Sequence, residues 1–135
     1  MTDRNENVLV PVRLSHTPIR SMSQGMLLKG SGVYVTSGIL GLDGAGNLVN
    51  DSFEAEVEAL FEELGRTLAA AGLGYEHVAR LTYFIVGLEP SLVNILRKVR
   101  SRYVNGDAPP ASTLIGVAAL HGGPRIEVEV IAAVP

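Results

Sequence analysis

The sequence predicts an α+β fold, a sheet with its helices gathered on one face. Three observations carry that prediction. Residues 51–74, DSFEAEVEALFEELGRTLAAAGLG, and the stretch from Pro90 to about Tyr103 both place apolar residues at the spacing of amphipathic helices. RIEVEV, residues 125–130, alternates Arg125, Glu127 and Glu129 with Ile126, Val128 and Val130, the period of a strand with one buried and one polar face. The elements run as strands, helix, strand, helix and two strands, an order that suits helices on one side of a sheet.

Taken in turn, residues 1–6 are polar and are expected to be loose. VLVPVRLS, residues 8–15, reads as a strand, and Pro11, lacking an N–H, puts it at an edge. In MLLKGSGVYVTSG, residues 26–38, two short apolar runs flank Gly30-Ser31-Gly32, which predicts a hairpin. Asp43, Gly44, Gly46 and Asn47 mark a further turn. That segment lacks the Gly-Lys-Ser/Thr ending of a phosphate loop.

The first helix carries Phe53, Val57, Leu60, Phe61, Leu64 and Leu68 along one stripe. Asp51 with Glu54 suggests a capping box, and Gly72 suits the stop. Its glutamates crowd the first half, where the helix dipole favours them, and read as a solvated face rather than a metal site. HVARLTYFIVGL, residues 77–88, reads as a buried strand. Pro90 can open the second helix, with Leu92, Ile95, Leu96, Val99 and Tyr103 inward and Arg97, Lys98, Arg100 and Arg102 on a solvated side. ASTLIGVAAL and PRIEVEVIAAV close the chain as two strands joined through His121-Gly122-Gly123-Pro124.

A chain of 135 residues suits one domain. At 47% hydrophobic it is rich for a small monomer, which points to apolar surface held against another copy. No apolar run approaches the roughly 20 residues of a membrane span, and MTDRNENVLV lacks the pattern of a signal peptide. The cytoplasm is the default compartment. Without cysteine there is no disulfide framework, thiol nucleophile or thiolate metal site. A net charge of −3 gives no electrostatic reason for nucleic acid as a partner.

His16, His77 and His121 form neither a metal pair nor a partnership with a nucleophile, and read as surface or loop residues. Ser37 ends a strand without the glycine of a nucleophile elbow. The closing strands remain. Glu127 could handle a proton or orient water, or could pair with Arg125 on the same face at the strand end.

SMSQG before the hairpin, VYVTSG, the DGAGNLV turn, AAAGLGYEHVARLTYFI, PPAST and RIEVEVIAAV recur in the order seen in the RidA/YjgF family, which the chain resembles from about residue 20 to 134. The resemblance implies a chorismate-mutase-like fold, a mixed sheet with two helices on one face. It also implies a homotrimer with a central barrel and small-molecule clefts between subunits. The family's best-known members hydrolyse enamines and imines without cofactor or metal. Their water-holding glutamate matches Glu127, and Ser37 and Gly38 are retained. Their carboxylate-clamping arginine after Pro-Ala is here Ser112. Met22 replaces a tyrosine, Ile39 a glutamine and Leu114 a cysteine, while Asn94 matches an asparagine.

These departures imply a ligand less anionic and more apolar than an amino-acid-derived imine, with Arg125 a conceivable substitute clamp. Two readings follow, an imine deaminase of altered specificity and a trimeric binding protein without catalysis. Ribonuclease activity ranks third.

Overall fold

A computed structural model describes residues 8–16, 22–104 and 106–135; the expectation for residues 1–6 lies outside them. The strands are β1 (Leu9–Val12), β2 (Gly25–Leu28), β3 (Gly32–Val35), β4 (Ile39–Leu40), β5 (Val78–Val86), β6 (Ala111–Val117) and β7 (Ile126–Val134). Helix α1 (Phe53–Ala70) precedes β5, and α2 (Pro90–Arg100) links β5 to β6.

The main sheet runs β3-β7-β5-β6, with β4 also on β7. β7 is antiparallel to β3, β4 and β5, whereas β5 and β6 are parallel. A parallel pair needs a crossover, and α2 supplies it. The sheet is therefore mixed. Leu81, Tyr83 and Ile85 of β5 and Ile126, Val128 and Val130 of β7 face the helices, buried with Val57, Leu60, Phe61 and Leu64 of α1 and with Leu92, Leu96 and Val99 of α2. Among the described residues nothing covers the opposite face. Val33 and Val35 are 59% and 66% exposed there, and Ile115 and Ile131 also stand open.

Helix α1 follows its predicted stripe, but its cap is Ser52, whose Oγ accepts the Ala55 N–H at 3.0 Å. Asp51 lies one residue too early, so the expected capping box does not form. At the other end Gly72 takes φ +74°, and Leu73 N–H reaches back to Leu68 O at 2.9 Å with both leucines buried, a Schellman stop. Helix α2 opens on Pro90 as expected and ends at Arg100, short of Tyr103.

The hairpin expected around Gly30-Ser31-Gly32 is absent. β2 pairs with β1 in a separate two-stranded ladder, and β3 pairs with β7. The Gly-Ser-Gly segment carries the chain from one ladder to the other. Gly30 at φ +118° is pressed against the Val134 carbonyl, where a Cβ would collide, and Ser31 N–H bonds that same oxygen at 2.9 Å.

Three readings of charged and titratable residues also change. Lys98 of α2 and Arg102 just past its end meet Glu54 and Glu58 of α1 at 3.1 and 2.9 Å, so half of the basic face is engaged with the neighbouring helix. Glu56 leaves the solvated row altogether and is 1% exposed. His77 is buried rather than superficial, and its Nδ1 accepts the Gly74 N–H at 2.9 Å.

Candidate functional site

The site grows from a mismatch between two strands. Val35 pairs with Ile131, and Ile39 pairs with Val128. Thr36-Ser37-Gly38 therefore face only Glu129 and Val130, a β-bulge in the edge segment. Thr36 fixes it from both sides. Its N–H donates to Val130 O at 3.0 Å, and its Oγ1 accepts the Val130 N–H at 3.0 Å. The bulge turns Ser37 outward and brings Gly38 against the side chain of Glu127, whose carboxylate a Cβ on residue 38 would overlap.

Glu127 pairs with Leu40 of β4 on one side and with Phe84 of β5 on the other. Side chains of paired residues share a face, so Glu127 stands on the face away from the helices. Among the described residues no hydrogen bond or ion pair engages its carboxylate. The alternative pairing with Arg125 that the alternation allowed does not occur. Arg125 precedes the strand and lays its guanidinium over the Phe53 ring, 5.2 Å from the centroid, towards α1. That placement also takes it away from a substitute-clamp position beside Glu127.

The other sequence-selected residues lie elsewhere in the chain. Buried Ser23 donates its hydroxyl to Pro109 O at 2.7 Å and its N–H to Pro110 O at 3.2 Å, which seats Met22 beside the start of β6. Ser112 pairs with Leu81, and Leu114 with Tyr83, so both point to the helix side of the edge strand β6. β5 separates β6 from β7, a gap of ~10 Å. Ser112 and Glu127 thus occupy opposite faces and do not meet within one chain. Ile39 neighbours the bulge, but packs against the core. Asn94 is exposed on α2, in a shallow hollow with Leu88, Pro90 and Arg97.

The uncovered face forms a concavity of about 480 Å³ with walls that include Val35, Phe84, Ile115 and Ile131. Arg80 is held across its floor, with Nη2 on Thr113 Oγ1 at 2.7 Å and Nε on Thr82 Oγ1 at 3.3 Å, and Glu129 lines the same hollow. On the helix side, burial pushes the Tyr75 and Tyr83 phenols well above their ordinary range, and Arg100 offsets this only in part for Tyr83. Tyr75 donates to Phe61 O. These phenols belong to the core rather than to proton transfer.

Sequence reasoning missed Glu56. Its Oε2 accepts the N–H groups of Arg125 and Ile126 at 2.8 and 3.1 Å, immediately before Glu127. A signal was present, because Glu56 falls three residues after Phe53 and four before Leu60, within the apolar stripe. Among the described residues no cluster of three or more His, Asp or Glu side chains could hold a metal ion, and no helix is long and apolar enough to cross a membrane.

Comparison with known proteins joins this geometry to a family. The family model described as Endoribonuclease L-PSP matches residues 14–134. The chain is 36% identical over 112 residues to Protein DfrA of Myxococcus xanthus, covering 82% of each chain. It is 32% identical over 115 residues to the 2-iminobutanoate/2-iminopropanoate deaminase of Rattus norvegicus, covering 84% of this chain and 80% of that one. Among solved structures, a Rid-family protein of Yersinia pestis, YyfB, shares the fold with a TM-score of 0.84 at 20% identity, over 93% of this chain and 98% of that one. RidA from a Psychrobacter species superposes with a TM-score of 0.69 at 25% identity, over 91% and 94%. With the family model spanning nearly all of the chain, these relatives and the shared mixed-sheet fold, the chain belongs to the RidA/YjgF family.

Proposed function

We propose that the protein hydrolyses a small enamine or imine to a carbonyl compound and ammonia, without a cofactor, as a homotrimer with its sites between subunits. The observation that carries this reading is the Glu127 carboxylate, set over Gly38 and engaged by no hydrogen bond or ion pair among the described residues. Such a carboxylate can accept a hydrogen bond from water and aim it at an imine carbon. As the C–O bond forms, the water proton passes to Glu127 and from there to the nitrogen. The resulting carbinolamine collapses, the C–N bond breaks, and ammonia leaves. An enamine enters the same route after protonation at its β-carbon.

Trimer formation is supported by the open sheet face. Val33, Val35, Ile115 and Ile131 would leave water against neighbouring copies. Each cleft then joins the Glu127 corner of one subunit to the Met22, Ser112 and Leu114 edge of the next. Met22 and Leu114 make that edge apolar, and Ser112 offers it a hydroxyl but no charge. The substrate is accordingly less anionic and more apolar than an acidic imine.

The test is ammonia release from imines generated in place by amino acid oxidases. Apolar side chains should be turned over about tenfold or more faster than acidic ones. Equal rates for both would remove the altered-specificity reading. No acceleration with any imine would favour a binding protein, the reading that Ser112 supports. RNA cleavage has less physical support, because Lys98 and Arg102 are already paired with Glu54 and Glu58.

A further inference from the structure

Glu56 answers a problem in strand pairing. β4 leaves the sheet after only two residues, with Leu40 opposite Glu127 as its last pair. In continuing register the next residue, Gly41, would lie opposite Ile126. Its carbonyl instead accepts the Val49 N–H at 2.8 Å, so the strand has turned away. The Ile126 N–H, which faces that side, is thereby left without a strand partner, in a region where Ile126 is wholly buried. Buried N–H groups must find an acceptor. The Glu56 side chain provides it, with Oε2 on both Arg125 N–H and Ile126 N–H.

The same residue governs the other side of the corner. Gly41 lies so close to the Glu56 carbonyl that a Cβ there would collide with it. The first turn of α1 thus seats the point where β4 departs, while the side chain of that turn holds the start of β7. Glu127 and Leu40 form the strand pair next to these two anchors. On the other edge of β7, Val86 N–H bonds Arg125 O at 2.9 Å, so the backbone just before Glu127 is gripped from both sides.

We propose that Glu56 is a positioning residue for Glu127, a side-chain surrogate for the strand that β4 withdraws, fixing the direction in which the Glu127 carboxylate leaves β7. The catalytic consequence rests on the deaminase reading above; the structural one does not. Glu56 itself stays buried on the helix side and touches no substrate. Its loss would act on kcat through the aim of Glu127, leaving the edge that receives the substrate unchanged.

The experiment compares Glu56→Gln, Glu56→Asp and Glu56→Met, each read in two ways. The first readout is independent of activity: the ¹³C carboxyl resonance of Glu127, with amide hydrogen exchange at residues 125 and 126. Glu56→Asp withdraws the acceptor by one methylene, about 1.5 Å. It should shift the Glu127 resonance and speed exchange at both amides by about tenfold or more. Glu56→Met should do the same more strongly. Glu56→Gln keeps an oxygen acceptor and should restore both signals.

The second readout is the split of kcat from KM. Glu56→Asp should lower kcat by about tenfold with KM within about threefold, and Glu56→Gln should recover most of kcat. Glu56→Asp is the variant expected to keep its fold if Glu56→Met does not. An unchanged Glu127 resonance and unchanged exchange in Glu56→Asp would overturn the proposal. If the wild-type protein hydrolyses no imine, the deaminase reading fails, and the resonance and exchange data still decide the role of Glu56.

Discussion

Glu127→Gln should lower kcat for imine hydrolysis by about 10²–10⁴-fold, the range contributed by a positioned general base. The amide keeps the shape of the side chain and can still contact water, but it cannot take a proton from it. Folding should be spared. The carboxylate makes no hydrogen bond or ion pair with the described residues, so its replacement should change stability by about 0.5 kcal/mol or less. Ammonia release and thermal melting on the same preparation separate the two effects. A Glu127→Gln protein that turns over at the wild-type rate would remove Glu127 from the chemistry.

Gly38→Ala makes a sharper version of the same argument. The added methyl would meet the Glu127 carboxylate, the free end of a flexible side chain, rather than fixed backbone. Gly38 needs no positive φ, so the backbone tolerates alanine. The carboxylate must swing aside, and kcat should fall by about 10–100-fold in a protein that retains its glutamate and its fold.

The second large effect concerns assembly. Val35→Glu places a carboxylate at the most exposed large hydrophobic position of the open face, on the rim of a concavity that already contains Glu129. If three copies cover that face, each must desolvate the new charge near another of like sign, at several kcal/mol per site. Sedimentation at micromolar concentration should show trimers for the wild-type protein and monomers for the variant. Deaminase activity should be lost with the trimer, although every residue around Glu127 is intact. A monomer that retains full activity would place the whole site within one chain.

How far the sequence revealed this molecule depended on the range of the interactions involved. The stripe of α1 and the alternation of β7 are local periodicities, and both survived folding. The cap slipped by one residue because Asp51 and Ser52 are both good caps, and only the Ser52 hydroxyl reaches the Ala55 N–H. The hairpin at residues 26–38 failed for a different reason. Its glycines announced a change of direction, but the partner of β3 was Ile131–Val134, about a hundred residues away.

The bulge was hidden for the same cause, since it exists only as a difference in length between two distant paired segments. Glu127 and the Ser37-Gly38 pair were legible through resemblance, and their contact through Gly38 needed the fold. Glu56 shows the opposite limit. In composition it is one glutamate among several on a helix, and its role appears only when β4 turns away from Ile126. Arg125 shared a parity with Glu127 on paper, yet the strand begins one residue later and the guanidinium found Phe53.

The most direct test of the shared site is complementation between subunits. Glu127→Gln removes the base from one side of the cleft, and Ser112→Trp should block the other side by filling the edge of β6. Each variant alone should be inactive as a homotrimer. Co-expressed with different tags and purified as mixed trimers, they should recover activity. If a site needs an intact Glu127 from one subunit and an intact Ser112 edge from its neighbour, every mixed trimer holds one working site of three, so the purified mixed trimers should show about one third of the wild-type rate. Recovery near that level would establish that Glu127 works across a subunit boundary. Mixed trimers as inactive as either parent would contradict it.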